Sequence, residues 1–243
     1  MTKVKLLSYT GQGFAEPEIA AAKILVATKN TRLNVTTALE RVEEMEKSEL
    51  LEELDYMATT IPSSWEFLDL TFLVEGVTRA TAQQITRTRT GSYAMQSQRV
   101  TNASEMEVKN PFTPNTLEHD IFEGGVVTSS STYDSLMEEG AEPGDARGIL
   151  PMNTTCNIWC KYNLRSFADL LAARKSNRTQ SEYRDIVLEM EKEVLRVWPW
   201  AEKFFVPKNE KALALLDEVI AELGMTTGSG AGWKLAKVQD LLR

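Results

Sequence analysis

Residues 87–99, RTRTGSYAMQSQR, combine side-chain types that bind phosphate groups. They include three arginines, two serines and two glutamines, and no acid. Their local charge of +3 is opposite in sign to the formal charge of the whole chain, -8. A guanidinium group offers a planar fork of donors that matches two phosphate oxygens, and serine hydroxyls and backbone N–H groups can complete such a cradle. The composition fits either an anion-binding loop or a solvated basic turn.

A second basic element lies at residues 163–184, NLRSFADLLAARKSNRTQSEYR. It contains five basic and two acidic residues. Three apolar residues and an arginine follow one another at intervals of three or four residues: Leu164, Phe167, Leu171 and Arg174. This spacing predicts a helix. Two cationic elements so far apart in an acidic protein are what an anion pocket built from distant segments would need.

The totals fit one globular domain, residues 1–207, with a C-terminal helical extension at residues 208–243. Hydrophobic residues make up 42% of the chain and charged residues 26%, which is ordinary for a soluble domain. A sequence pI near 5.0 argues against a protein that coats nucleic acid. No apolar window is long enough to span a membrane, and no export signal is recognisable, so we expect a cytoplasmic protein.

Few residues could bind a metal or act as a nucleophile. Cys156 and Cys160 would share one face of a helix, and the single histidine, His119, lies in a stretch predicted as a polar loop. Two thiolates without further ligands do not make a zinc site. We therefore expect no metal centre, and two core thiols in a reducing compartment.

Periodicity predicts a mixture of strands and helices. Alternating apolar residues predict strands at about 4–9 and 68–74. Helices are predicted at about 17–27, 36–56, 78–86, 164–174 and 180–197, with another ending near Gly140. Residues 102–130 are rich in Asn, Thr, Ser, Pro and Gly and predict a long irregular loop that could include a strand at GGVVTS.

The spacing of the first basic stretch, R-x-R-x-x-S-x-x-x-x-S-x-R, resembles the signature RHR-x-x-S-x-x-x-x-S-x-R of the flavin-dependent thymidylate synthases (ThyX). The string that starts at Asn163 resembles the second family signature, N-x-R-S-x-x-x-F-L-x-x-R-x-x-x-x-A-Q-x-E, and residues 146–151 match the family element A-R-x-x-L-P. The resemblance implies an α/β (α+β) fold with a mostly antiparallel sheet and long helices. It also implies a homotetramer whose sites are shared between subunits.

The family resemblance implies a reaction as well. A one-carbon unit passes from methylenetetrahydrofolate to C5 of dUMP and gives dTMP. Reduced FAD supplies the hydride, NADPH re-reduces the flavin, and no enzyme cysteine attacks the base. The implied partners are therefore a pyrimidine deoxynucleoside monophosphate and folate, with FAD as cofactor.

Positions in the family motifs imply individual roles. Nucleotide contacts fall on Gln84, Arg87, Ser97, Gln98, Arg99 and Arg147. Arg174 matches the arginine thought to polarise the pyrimidine ring, and it is the implied catalytic residue. A guanidinium beside a ring carbonyl favours the anionic form of the ring. Flavin contacts fall on Arg87, Thr88, Arg89, Asn163, Arg165 and Asp169.

This chain departs from the family mainly on the flavin side. Thr88, Ile61 and Arg178 each stand where the family has a histidine. Asp169 stands at an Asn/His position, and Met95 where a polar residue usually faces the nucleotide. Three interpretations follow. The chain is a divergent flavin-dependent thymidylate synthase, or a dCMP or dUMP hydroxymethylase in which water replaces the hydride, or a nucleotide-binding homologue without turnover.

Overall fold

A four-stranded antiparallel sheet forms the centre of the molecule, with strand order β1-β2-β4-β3. The strands are β1 (Lys3–Tyr9), β2 (Asp69–Thr78), β3 (Ser92–Met95) and β4 (Thr155–Asn163). In the central pair, Asp69 lies opposite Asn163 and Thr78 lies opposite Thr155. The antiparallel sheet predicted from the family resemblance is therefore confirmed.

The computed structural model describes residues 2–29, 38–60, 62–101 and 103–206. These residues contain eight α-helices, which are α1 (Pro17–Lys29), α2 (Ala38–Glu43), α3 (Lys47–Thr59), α4 (Arg79–Ile85), α5 (Leu117–Glu138), α6 (Pro143–Ala146), α7 (Leu164–Arg174) and α8 (Ser181–Val197). None of these helices is long and apolar enough to cross a membrane. Both Ile61 and the predicted C-terminal extension, 208–243, lie outside the described residues.

The core lies on one side of the sheet. Alternate residues of the two central strands are at most 1% exposed: Leu70, Phe72, Val74, Ile158, Cys160 and Tyr162. Helices α4, α7 and α8 contact this sheet. Phe72 stacks on Phe167 of α7, with ring centroids 5.5 Å apart. The sheet therefore supports α4, which carries Gln84, α7, which carries Arg174, and α8, which follows them in the chain.

A bulge interrupts β2 directly before α4. The register between β2 and β4 shifts between Val74 and Val77, and Gly76 has a φ of 65°. Glycine adopts this backbone conformation without steric cost. The backbone N–H of Gly76 donates to Oδ1 of Asn157 at 3.0 Å, which ties the bulge to β4.

The structure corrects the prediction of a long loop at residues 102–130. Residues from Leu117 onward form α5, a helix of 22 residues, and no strand forms at GGVVTS. Thr116 caps α5 by accepting a hydrogen bond from the backbone N–H of His119, so His119 also lies in a helix rather than in a loop. Gly124, Gly125 and the serines have low helix propensity, and tertiary contacts of Tyr133 outweigh it.

Two further predictions of helical structure were wrong. Both cysteines lie on strand β4 rather than on a helix. The spacing of four residues could not separate the two structures, because residues i and i+4 share a face in a strand as well as in a helix. The single helix predicted at 36–56 is two helices, α2 and α3. A capping box formed by Glu46 and Glu49 starts the second of them. Core burial of both cysteines is confirmed.

Candidate functional site

Most of the candidate arginines have no acidic partner. Among the described residues, Arg165 pairs with Glu66 at 2.6 Å. No carboxylate of the described chain lies within ion-pair distance of the other five, which are Arg87, Arg89, Arg99, Arg147 and Arg174. The whole chain has 35 acidic and 27 basic residues, so a shortage of carboxylates does not explain why these arginines lack ion-pair partners. Guanidinium groups left free in this way are available to anionic ligands.

Arg99 and Arg147 meet at Gly144, and we call them the Gly144 cluster. Arg147 begins a short 3₁₀ turn after α6, and its Nε donates to the carbonyl of Gly144 at 3.1 Å. A Cβ placed on Gly144 would lie 3.4 Å from Nε of Arg99. The basic stretch and the A-R-x-x-L-P element, almost 50 residues apart in sequence, therefore bring two cations to one glycine.

Two polar residues precede Arg99 in the chain. The hydroxyl of Ser97 accepts a hydrogen bond from the backbone N–H of Arg99 at 3.2 Å. Gln98 is only 4% exposed, and its Nε2 has no hydrogen-bond partner among the described residues. A buried donor without a partner costs free energy, which a ligand acceptor would recover. This observation favours a polar ligand at Gln98, the residue next to Arg99 in the chain.

A second group of candidates gathers where α8 begins. The guanidinium carbon of Arg174, the last residue of α7, lies 5.4 Å from the ring centroid of Tyr183. The hydroxyl of Tyr183 lies 3.5 Å from Oγ1 of Thr88. Gln84, near the end of α4, donates from its side-chain amide to Gln180. We call Gln84, Thr88, Arg174, Gln180 and Tyr183 the α8 cluster.

Glu182 anchors the start of α8 to α4. Its carboxylate accepts from the hydroxyls of Thr78 at 2.5 Å and Thr81 at 2.6 Å, and from Nζ of Lys109 at 2.8 Å. The backbone N–H of Thr78 and the hydroxyl of Thr2 also donate to it. Burial alone would raise the pKa of Glu182, but the hydrogen bonds from Lys109, Thr78 and Thr81 outweigh burial and lower the pKa. Glu182 is therefore a charged anchor that fixes the α8 cluster.

The residues predicted to contact the flavin are only partly free. Oδ1 of Asn163 caps α7 by accepting from the backbone N–H of Ser166 at 2.8 Å, which leaves its amide donors available. The Arg165–Glu66 pair is nearly half exposed on both sides, and such pairs contribute only about 0–1 kcal/mol. Asp169, Arg87 and Arg89 are exposed. The free guanidinium groups suit the diphosphate of FAD, so the donor set fits this cofactor.

Sequence reasoning assigned no role to Tyr183, Glu182 or Tyr93. The hydroxyl of Tyr93 donates to the carbonyl of Thr88 at 2.6 Å, and its ring packs edge-on against Tyr162 at 5.9 Å. Tyr93 lies on β3, which the sequence did not predict as a strand. Glu182 matched the second signature, but Tyr183 gave no signal beyond its position on the apolar side of α8.

The cysteines do not have the properties of nucleophiles. Burial raises the pKa of the Cys160 thiol to about 12, and burial also raises the pKa of Cys156. Both thiols are therefore protonated at neutral pH, whereas the thiolate is the reactive form.

The described residues thus present two groups of candidates rather than one. The Gly144 cluster holds Arg99 and Arg147, and the α8 cluster holds Gln84, Thr88 and Arg174. No hydrogen bond or ion pair of the described chain joins a side chain of one cluster to a side chain of the other. The two clusters are connected through the chain between Thr88 and Arg99.

Comparisons with known proteins identify the family. Residues 5–200 match the family model described as thymidylate synthase complementing protein. The chain is 30% identical over 204 residues to a flavin-dependent thymidylate synthase of Sulfurisphaera tokodaii, covering 81% of this chain and 74% of the relative. It is 27% identical over 248 residues to a protein of the same name from Geobacter sulfurreducens, covering 99% of this chain and 98% of the relative.

A solved structure shares the fold. It is a UMP/dUMP methylase, PolB, from Streptomyces cacaoi, bound with 5-Br dUMP. The TM-score is 0.66 at 18% identity, over 84% of this chain and 94% of the other. The family model covers residues 5–200, which is most of the chain. The chain belongs to the flavin-dependent thymidylate synthase family.

Proposed function

We propose that this protein carries out FAD-dependent reductive methylation of dUMP to dTMP, with methylenetetrahydrofolate as the one-carbon donor. The observation that carries the proposal is the set of arginines without acidic partners at the positions of the family signatures. Relatives named as flavin-dependent thymidylate synthases support the reaction. A structural neighbour bound with 5-Br dUMP supports a pyrimidine nucleotide as substrate.

The residue roles follow from charge and position. Arg99 and Arg147 bind the phosphate of dUMP, and Ser97 and the buried amide of Gln98 contribute polar contacts beside them. Gln84 of the α8 cluster and Arg87, three residues further along the chain, also contact the nucleotide. Arg174 stabilises the negative charge that develops on the pyrimidine ring, because a fixed guanidinium beside a ring carbonyl favours the anionic ring.

The cofactor set is FAD with NADPH as its reductant. Arg87, Thr88, Arg89, Asn163, Arg165 and Asp169 would hold FAD. When bound, reduced FAD supplies the hydride that completes the methyl group. The buried, protonated thiols of Cys156 and Cys160 leave no role for a cysteine nucleophile.

A homotetramer would unite the two clusters. The Gly144 cluster of one subunit and the α8 cluster of its neighbour would together surround one nucleotide. Within one chain, Arg99 and Arg147 belong to one set of contacts and Arg174 to another, and shared sites would bring the two sets together. Sites shared in this way also explain why neither cluster has the full set of nucleotide contacts.

A 5-hydroxymethylase acting on dCMP or dUMP is the second candidate. Thr88 lies beside Tyr183 at a position where the family has a histidine, and Asn163 and Arg165 already have partners within the chain. A hydroxymethylase needs no redox flavin, so weaker flavin contacts favour it. Both reactions activate C5 and accept the same one-carbon unit.

The mass of the product separates these functions. The purified protein is incubated with methylenetetrahydrofolate and either dUMP or dCMP, with and without FAD and NADPH. A dUMP product in which a methyl group has replaced the C5 hydrogen, heavier by one CH2 unit and formed only with FAD and NADPH, is expected. A hydroxymethylated product would establish the second candidate. Ligand-induced melting shifts without any product would show a nucleotide-binding protein without turnover.

A further inference from the structure

Tyr183 lies beneath the arginine that the proposed function makes catalytic. The guanidinium carbon of Arg174 is 5.4 Å from the Tyr183 ring centroid, which is within the range of a cation–π contact. Arg174 has no carboxylate partner among the described residues. Within the described part of the chain, Tyr183 is therefore the residue that contacts the Arg174 guanidinium group, through its ring face and its hydroxyl.

An aromatic ring suits this task better than a carboxylate would. A carboxylate would offset the positive charge of Arg174 and occupy its N–H donors. The face of a ring attracts the guanidinium plane and engages few of its donors. Burial raises the pKa of Tyr183, and a side-chain hydrogen bond with Arg174 is among the smaller effects that lower it. The charge of Arg174 and the donors that do not reach the Tyr183 hydroxyl stay available to a ligand.

The ring of Tyr183 is itself fixed. Tyr183 is 1% exposed, and its hydroxyl faces Thr88 in the arginine-rich stretch. The neighbouring Glu182 holds the first turn of α8 against Thr78 and Thr81. A ring clamped on these sides cannot follow the long Arg174 side chain, so it restricts where the guanidinium lies.

We propose that Tyr183 is a positioning residue that holds the Arg174 guanidinium at the place where it meets the pyrimidine. The proposal rests on the proposed function, because it takes Arg174 as the group that contacts the pyrimidine ring. Tyr183 acts only through Arg174. This dependence makes the proposal testable by combining substitutions.

The test measures dUMP affinity by calorimetry in two backgrounds. Tyr183→Leu removes the ring face and is expected to weaken dUMP binding about twofold to thirtyfold, the fold-change that corresponds to a cation–π contact. Tyr183→Phe keeps the ring and is expected to bind within about threefold of the natural protein. In an Arg174→Met background, Tyr183→Leu is expected to have no further effect on dUMP affinity.

Val187→Ala is the matched control, because Val187 is fully buried one turn further along α8. It loosens the same helix without touching Arg174, and dUMP affinity is expected to stay unchanged. If Tyr183→Leu does not fold, Tyr183→Met replaces it, since methionine fills irregular gaps. Equal weakening by Val187→Ala, or an undiminished effect of Tyr183→Leu without Arg174, would overturn the proposal.

A stability measurement separates failure of this proposal from failure of the proposed function. If the natural protein binds no dUMP, the proposed function fails. Urea unfolding of the single and double variants still tests the contact. If Arg174→Met lowers the urea midpoint less in the Tyr183→Leu background than in the natural protein, the two residues interact, and the contact is supported. Strictly additive midpoint changes would rule the contact out.

Discussion

Arg99 and Arg147 approach the same glycine, Gly144, and neither has a carboxylate partner among the described residues. Two unpaired cations held this close repel each other unless an anion lies between them. The resemblance to the family motifs implied both residues, Arg99 through the first signature and Arg147 through the A-R-x-x-L-P element. It could not predict that Gly144 is where they meet, because the contact depends on how α6 is placed.

Replacing Arg147 by alanine should weaken dUMP binding about tenfold to a hundredfold, because a charge-assisted hydrogen bond to phosphate contributes about 1.5–3 kcal/mol. Arg147→Lys should recover part of the loss, since lysine keeps the charge but not the fork of donors. Calorimetric titration with dUMP measures both variants.

Arg196→Ala is the matched control for this experiment. Arg196 is an exposed arginine of α8, paired with Glu193, and its loss should leave dUMP affinity unchanged. Equal weakening by the Arg147 and Arg196 variants would mean that only the net charge of the protein matters. In that case Arg147 would have no specific contact with the nucleotide.

The cysteines should be unreactive in the folded protein. Burial raises the pKa of Cys160 to about 12 and also raises the pKa of Cys156, so the protonated thiol is the main form of both at pH 8. Ellman's reagent should label neither thiol in the native protein within minutes and both in urea. Rapid native labelling of either thiol would contradict the assignment of both to the core.

Helix α8 shows how much of an element can be derived from sequence. Its apolar spacing and Pro199 predicted its extent closely, and the second signature marked Gln180 and Glu182. The partners of Glu182 lie at residues 2, 78, 81 and 109, and only the fold brings them together. Helix α5 shows the opposite case. Its glycines and serines predicted a loop, whereas the structure has a helix that begins at the Thr116 cap and packs through Tyr133.

Glu182→Gln should lower the free energy of unfolding at pH 7 by about 1–3 kcal/mol, because the hydrogen bonds lose their charge assistance. The folded protein lowers the pKa of Glu182 below the ordinary value of 4.5. The stabilisation is therefore fully present above pH 4.5 and is lost as the pH falls through the lower, folded-state pKa. Urea unfolding at several pH values measures this change.

The difference in stability between the natural protein and Glu182→Gln should shrink on acidification. Glu193→Gln is the matched control on the same helix. Glu193 bonds only to the exposed Arg196 among the described residues, so its replacement should change stability by at most about 1 kcal/mol. A Glu182→Gln effect that stays constant from neutral pH to well below pH 4 would contradict the account of the anchor.

At the scale of the whole molecule, the two clusters predict that subunits share their sites. At a dUMP concentration too low to saturate Arg147→Ala, pure assemblies of Arg147→Ala and of Arg174→Ala should each show little activity. When the two variants are unfolded together and refolded, mixed assemblies should regain activity. Some sites then receive an intact Gly144 cluster from one subunit and an intact α8 cluster from the other. Initial rates of product formation measure the recovery.

Mixing Arg147→Ala with Arg99→Ala provides the control, because both substitutions fall in the Gly144 cluster. Every site in that mixture lacks one of the two cations, so activity should not return. Recovery in this control, or none in the first mixture, would contradict shared sites. Sequence motifs named the arginines of both clusters, but only the fold shows which of them share one surface.

The most direct test of the proposed function is release of tritium from C5 of labelled dUMP. Methylation and hydroxymethylation both replace the C5 hydrogen, so the readout does not depend on which product forms. We expect release that requires methylenetetrahydrofolate and is abolished in Arg174→Ala. Tight dUMP binding with no tritium release under any combination of folate, FAD and NADPH would contradict the account.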